Sequence, residues 1–318
     1  MAIEISPSAF EISPSAFMLC ETADEHKAKQ LANTDNWIFE QKFDGCRVML
    51  VVENYKATKI ITRRTSYNPN KFPEFKNITF PFENGVLDGE LMSDNFEHTN
   101  SRLLCDDDFK QDILAKVYPL KYYCFDILFL NGKDERNTLL SKRKEILGEI
   151  LKTDVIGFNN VIVEVKAKPF DVLWRDVLQY NQEGVIAKDS NSVYVSKRSN
   201  SWLKIKNWKE AIVEFDGYEK NIDNHGITLT NKDGIRVAVG SQAIAQSVMA
   251  TMELQHKVRA EIQYLEKTSN GLYRFPTLKE IIYYESDRVK LSDKITSPTA
   301  IELSPSKISP TAFELGEY

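Results

Sequence analysis

Long hydrophobic runs are missing from this 318-residue chain: no uninterrupted apolar stretch is long enough to span a bilayer. Glu4 and Pro7 stand where a secretory leader needs a basic start and an apolar run, so export is not expected and a cytoplasmic location is. Cysteine is scarce. Cys20, Cys46, Cys105 and Cys124 are scattered and form no CxxC pair, which argues for reduced thiols and against a zinc module. An excess of positive charge is lacking too. The formal net charge is -5, so the total does not point to a polyanionic partner. Basic residues are nevertheless clustered, at Arg63, Arg64, Lys71 and Lys76 and again at Lys197, Arg198, Lys204, Lys206 and Lys209, while acids gather at Asp106-Asp107-Asp108. Local fields matter more than the total for binding a polyanion.

Hydrophobic residues at 42% and charged ones at 27% are ordinary for a globular chain with a sizeable core, and the length suggests about two domains. Both ends carry a short repeat. Ile5-Ser6-Pro7-Ser8-Ala9-Phe10 recurs as Ile12 to Phe17, and related copies begin at Ser297, Leu303 and Ile308. Proline in each copy opposes helix and central strand, and so few short units cannot build a core. They read as flexible tails over 1–17 and 291–318, or as short motifs that dock onto a protein partner.

Between the tails the pattern predicts a helix over Met18–Asn33, then Lys42 at a strand end before the turn Phe43-Asp44-Gly45 and the apolar run from Val48 to Val52. Strands are expected at Lys59–Arg64, at Gly85–Met92 with a bend at Asp88-Gly89, and at Tyr122–Phe129. Thr138 is placed as the cap of a helix Leu139–Leu151. A helix over Asp171–Tyr180 should turn Val172, Leu173, Val177 and Leu178 inward. Strands follow at Glu183–Lys188 and Trp202–Lys206. Alternation in the latter puts Trp202, Lys204 and Lys206 on one face and Leu203 and Ile205 on the other, so that two lysines form a phosphate clamp. After Asn207 come short strands, one helix over Ser241–Met252, and a strand at Val258–Leu265. Five strands with a helix between the third and fourth suit a small OB-type barrel.

In this order Lys42-Phe43-Asp44-Gly45 with Arg47, Thr62-Arg63, Leu87-Asp88-Gly89-Glu90-Leu91, Phe125-Asp126, Glu183-Gly184-Val185-Ile186-Ala187-Lys188 and Trp202-Leu203-Lys204-Ile205-Lys206 resemble the motif series of the nucleotidyltransferase superfamily of ATP-dependent DNA ligases and mRNA capping enzymes. Phe72-Pro73-Glu74, Val239-Gly240-Ser241 and Arg274-Phe275-Pro276 resemble the DNA-ligase branch. No long N-terminal DNA-binding domain, nicotinamide-binding region or four-cysteine zinc site is visible, so the resemblance is to a compact ligase of the viral or bacterial kind.

The resemblance implies an α+β fold: a nucleotidyltransferase domain of ATP-grasp-like antiparallel sheets with helices over 18–207, followed by an OB-fold β-barrel over 208–290. It implies a monomer that uses ATP with Mg2+ or Mn2+ to seal nicks in duplex DNA. Lys42 would carry AMP. Glu183 would hold the divalent metal, and Glu90 the ribose hydroxyls or also metal. Lys204 and Lys206 would neutralise the α-phosphate, with Lys204 helping to deprotonate Lys42. Phe125 would stack on adenine, Glu40 would place adenine through its backbone, and Arg47 and Arg63 would grip ribose or phosphate oxygens; Lys188 joins the nucleotide-binding set. An RNA ligase, a capping guanylyltransferase and an inactive nick-binding protein are the rival readings. The family's last motif is altered: Tyr284-Glu285-Ser286-Asp287-Arg288 has Glu285 where arginine is expected, leaving Lys279, Arg274 or Arg288 to assist pyrophosphate release.

Overall fold

The computed structural model describes residues 16–152, 158–221, 226–268 and 270–282. The chain divides into two compact units, Met1–Asn207 and Trp208–Tyr318. The repeat copies before residue 16 and after residue 282, and the altered motif at 284–288, lie outside the described residues.

The first unit begins β1 (Leu19–Thr22), α1 (Glu25–Ala32), β2 (Trp37–Lys42), β3 (Cys46–Glu53), β4 (Lys56–Thr62), β5 (Ser66–Tyr67) and β6 (Gly85–Met92). It continues α2 (Phe96–Leu104), α3 (Asp108–Val117), β7 (Lys121–Leu130), β8 (Lys133–Asp134), α4 (Leu140–Leu151), α5 (Phe158–Val161) and β9 (Ile162–Glu164). It ends α6 (Phe170–Gln179), β10 (Gly184–Asp189) and β11 (Arg198–Lys206). These strands make two sheets. One has four strands in the order β1-β11-β10-β2; the other has seven, running β5-β4-β3-β6-β7-β8 with β9 beside β7. Most pairings are antiparallel, while β1 lies parallel to β11 and β9 parallel to β7.

Strand alternation sorts the side chains into three layers. Val48, Leu50 and Val52 of β3 join Leu87, Leu91, Tyr122 and Leu147 in a core on the outer face of the large sheet, beneath α4 and α5. Met49 and Val51 turn the other way, against Trp202, Tyr194 and Phe129. Leu203 and Ile205 of β11 pack with Val185, Ala187, Phe39 and the α1 and α6 residues Ala28, Leu31, Leu173 and Val177. The two sheets therefore stack on a shared inner layer, with helices on the outer faces. The chain crosses from the small sheet to the large one at Phe43-Asp44-Gly45, between β2 and β3.

Several local expectations are corrected. The helix expected over Met18–Asn33 is a strand followed by a shorter helix. Met18 is buried, β1 completes the small sheet, and Asp24 accepts from the Lys27 amide at 2.7 Å to cap α1. Phe17, expected in the tail, is buried in the inner layer, its ring 5.3 Å from the Arg47 guanidinium carbon. Thr138 does not cap α4; its hydroxyl donates to Glu135 at 2.6 Å and Leu139 takes the cap position. In α6 the buried stripe is Phe170, Leu173 and Val177, which share a face at helical spacing, so Val172 and Leu178 are exposed.

The second unit runs β12 (Lys209–Phe215), β13 (Gly217–Lys220), β14 (Ile227–Thr230), β15 (Arg236–Val239), α7 (Gln242–Gln255), β16 (Val258–Tyr264), β17 (Glu266–Lys267), β18 (Tyr273–Arg274) and β19 (Thr277–Ile282). Two three-stranded sheets, β12-β16-β19 and β13-β14-β15, enclose a core of Val213, Phe215, Leu229, Val237, Val248 and Ile262. Ser241 caps α7, and His256 ends it in a left-handed conformation at φ 62°. The helix falls after four strands, β12 to β15, and before β16; the single strand expected over Ala211–Tyr218 is divided into β12 and β13.

Candidate active site

The small sheet's register assembles the site. Lys42 on β2 lies opposite Gly184 on β10, which lies opposite Lys206 on β11. One step of two residues along, Glu40, Ile186 and Lys204 form the next row; a further step gives Ile38, Lys188 and Trp202. All three rows face the inner layer, because the intervening Phe39, Val185, Ala187, Leu203 and Ile205 face the helices. Gly184 keeps the first row open between its two lysines. It has φ +152°, and a Cβ there would collide with the Ile205 carbonyl, so the position demands glycine. Gly45 is equally constrained: its Cβ would lie 2.5 Å from the Leu91 carbonyl oxygen, so only glycine lets the crossing turn approach β6 this closely.

Lys42 Nζ lies 2.5 Å from Glu183 Oε1, and both side chains are mostly buried. The second carboxylate oxygen, Glu183 Oε2, is buried with no hydrogen-bond partner among the described residues. A buried carboxylate oxygen left unpaired is costly and is a ready ligand for a hard cation. From the large sheet comes Glu90, paired in register with Arg47 on β3. Burial pushes the Glu90 carboxyl up to about 8; Lys42 and Arg47 pull it down, whereas Glu183 and Asp44 push it further up. These groups therefore share one electrostatic neighbourhood. Among the described residues no three carboxylates, cysteines or histidines gather as a ready-made cation cage. The orphaned Glu183 oxygen, with Glu90 close enough to feel its charge, fits a cation completed by substrate oxygens, the usual pattern for Mg2+.

Arg47, expected to grip nucleotide oxygens, bonds to protein groups in this structure. Its Nε and Nη2 donate to the two Asp88 carboxylate oxygens at 3.1 and 2.7 Å, and Nη1 donates to the Met18 carbonyl at 2.6 Å. Tyr194 OH donates to Asp88 at 2.7 Å and accepts from the Met18 amide at 3.0 Å. Arg47 is thus built into the wall, tying the chain's entry segment to the Asp-Gly-Glu strand. Arg63 lies just beyond β4, exposed; with Arg64 it acts on the Cys46 thiol, which burial and Glu90 nevertheless push up to about 12.

At the other end of the rows, Glu40 is buried between two lysines. Lys188 Nζ meets its Oε2 at 2.6 Å and Lys144 Nζ meets its Oε1 at 2.6 Å. Burial pushes the Glu40 carboxyl up, but Lys188 and Lys144 together bring it below its ordinary value. Burial lowers Lys188 from its ordinary value despite Glu40. The Lys188 ammonium also sits 4.2 Å from the ring centroids of both Phe125 and Trp202. Phe125 is half-buried and meets Trp202 edge-on.

Sequence reasoning missed Lys144, which belongs to no motif; its signal was its place beside Arg143 on an amphipathic helix. It also missed Tyr194 and Asp88 as the fixings of Arg47. Of the candidates in the second unit, Lys279 pairs with Glu210 and Glu261 at 2.6 and 3.1 Å, and Arg274 with Glu266 at 2.7 Å.

The profile of the ATP-dependent DNA ligase domain matches residues 17–206, and the chain belongs to that family. The SPbeta prophage-derived DNA ligase-like protein LigB of Bacillus subtilis (strain 168) is 28% identical over 203 residues, spanning 61% of this chain and 70% of that protein. The bifunctional non-homologous end joining protein LigD of the same strain is 31% identical over 231 residues, 64% of this chain and 37% of its own length. The DNA ligase of Methanothrix thermoacetophila is 28% identical over 182 residues, 54% of this chain and 32% of that enzyme. The chain therefore spans roughly a third of these last two relatives. A solved Lig E DNA ligase shares the fold, with a TM-score of 0.62 at 16% identity over 84% of this chain and 99% of that one.

Proposed function

We propose that this chain is an ATP-dependent DNA ligase that seals nicks in duplex DNA through a lysine-bound adenylate. The observation that carries the reading is the row Lys42, Gly184, Lys206 with Lys204 behind it: a nucleophile and two phosphate-neutralising ammoniums on the inner face of the small sheet, beside a carboxylate with an unpaired buried oxygen. In its ion pair with Glu183, Lys42 is an ammonium and has no lone pair to offer. It must part from Glu183 and release a proton to solvent. Lys42 Nζ then forms a bond to the α-phosphorus of ATP as the bond to pyrophosphate breaks. The nick's 5′-phosphate next displaces Lys42 from the adenylate, and the 3′-hydroxyl displaces AMP to close the strand.

Each step is a displacement at phosphorus, in which alignment and charge neutralisation do most of the catalysis. Lys204 and Lys206 bind the α-phosphate oxygens, Phe125 stacks on adenine, and Lys188 with Glu40 lines the purine side. Arg63 reaches ribose or phosphate. Glu183, with Glu90, would hold Mg2+ or Mn2+, which when bound neutralises the carboxylate and phosphate charge. The second unit serves as an OB-type barrel against the duplex. Incubation with α-labelled ATP and magnesium, followed by chase onto a nicked duplex, tests the reading. Label on Lys42 that transfers to the nick supports it. Label from GTP in preference to ATP, or transfer only to RNA ends, would instead favour a capping guanylyltransferase or an RNA ligase.

A further inference from the structure

Lys144 is an unassigned cation at the junction of the two sheets. Its ammonium lies 2.6 Å from Glu40 Oε1 as an ion pair, and it donates to the Val165 carbonyl at 2.6 Å and to the Phe125 carbonyl at 3.2 Å. These belong to β2 of the small sheet, to the segment after β9, and to β7 of the large sheet. The segment after β9 itself bridges the sheets, since the Val165 amide donates to the Cys124 carbonyl at 2.8 Å and the Lys168 amide to the Phe39 carbonyl at 3.0 Å. The helix that carries Lys144 is anchored by its neighbour. Arg143, fully buried, donates from Nε and Nη2 to Asp126 at 2.7 and 2.9 Å, and from Nη1 to the Thr138 carbonyl. Lys144 thus transmits a rigid attachment point to the main chain of the aromatic Phe125 and to a carboxylate two residues before Lys42.

We propose that Lys144 is a positioning residue for the purine side of the nucleotide site, holding Phe125 and the Glu40–Lys188 pair at the separation that admits a base. The proposal rests on the ATP-ligase reading above. Lys144 touches neither the reacting phosphorus nor the lysines on the phosphate side. Its loss should therefore weaken binding of the nucleoside part of ATP and leave the pyrophosphate part alone.

The test measures KM and kcat for Lys42 self-adenylation with ATP. It also measures KM for pyrophosphate in the reverse reaction, release of ATP from the adenylated protein. Wild type is compared with Lys144→Met, which keeps length without charge, and Lys144→Arg, whose planar fork suits three divergent partners less well than an ammonium does. For Lys144→Met the ATP KM should rise about tenfold or more while kcat and the pyrophosphate KM stay within about twofold. Lys144→Arg should fall between, with a rise of about threefold, and it carries the test if the methionine variant does not fold. An unchanged ATP KM overturns the proposal, as does an equal weakening toward ATP and pyrophosphate, which marks a general loosening of the fold. A wild-type protein that takes no label from ATP overturns the ligase reading and this proposal with it; a labelled wild type with unresponsive variants overturns this proposal alone.

Discussion

Replacing Asp126 by alanine removes the partner of an arginine that has no exposure of its own. Arg143 and Asp126 are both fully buried, and two parallel bonds of 2.7 and 2.9 Å join them. Breaking such a pair from one side strands a charge in the interior, at a cost of about 3–5 kcal/mol. The Ile127 amide loses its acceptor at the same time, adding about 1 kcal/mol. At about 2–3 kcal/mol per molar urea, the steep end of the usual range, the unfolding midpoint of the first unit should fall by about 1.3–3 M. Trp37, Trp174 and Trp202 lie in that unit and Trp208 in the second, so intrinsic fluorescence in a urea titration of the Trp208→Phe background follows the first unit. The Lys142–Glu145 pair on the same helix is a contrast, because both side chains are over half exposed and solvent screens them. Glu145→Ala should not move the midpoint measurably. Changing both buried partners together, to Asp126→Leu with Arg143→Met, should recover much of the loss. A midpoint for Asp126→Ala within about 0.3 M of wild type would refute the reasoning, since a shift that small corresponds to under about 1 kcal/mol.

Phe17→Ala should cost about 3–5 kcal/mol of stability in the same titration, because it empties a buried ring's volume beside Arg47; a tail residue would cost nothing. Glu183→Gln should raise the magnesium concentration needed for half-maximal Lys42 labelling about tenfold or more, since the amide removes the charge and keeps the shape; an unchanged requirement would remove Glu183 from the cation site. Glu40 has a folded carboxyl held below its ordinary value of about 4.5. Its contribution to stability is therefore complete above that pH and is lost as pH falls through the lower folded value. The urea midpoint of wild type should drop more steeply below about pH 4.5 than that of Glu40→Gln. Parallel acid limbs in the two proteins would contradict it.

The strand-borne motifs were legible because strand period and chemistry agree. Trp202, Lys204 and Lys206 alternate with Leu203 and Ile205, and the sheet places them on opposite faces as that period demands. Gly184 announced nothing beyond its motif, yet its φ of +152° and the Ile205 carbonyl crowding the place of a Cβ show why a side chain is excluded there. The fate of Arg47 was not legible: its partners Asp88, Tyr194 and Met18 come from sequence separations of 41, 147 and 29 residues, which only tertiary pairing brings together. Lys144 was hidden for the same reason, since two carbonyls and a carboxylate from three separate segments define it. Phe17 looked like repeat sequence because its local pattern is that of a tail, while its burial depends on the inner layer between the sheets. The helix misplaced over Met18–Asn33 failed where Leu19–Thr22 found an edge strand to pair with, a tertiary gain that outweighs local propensity.

The central claim is that Lys42 carries AMP, and peptide mapping of the protein after incubation with α-labelled ATP and magnesium tests it directly. The account predicts one labelled peptide containing Lys42, acid-labile as a phosphoramide, absent in Lys42→Ala and lost on adding pyrophosphate or a nicked duplex. Absence of covalent label on the wild-type protein, or label that survives Lys42→Ala, would contradict it.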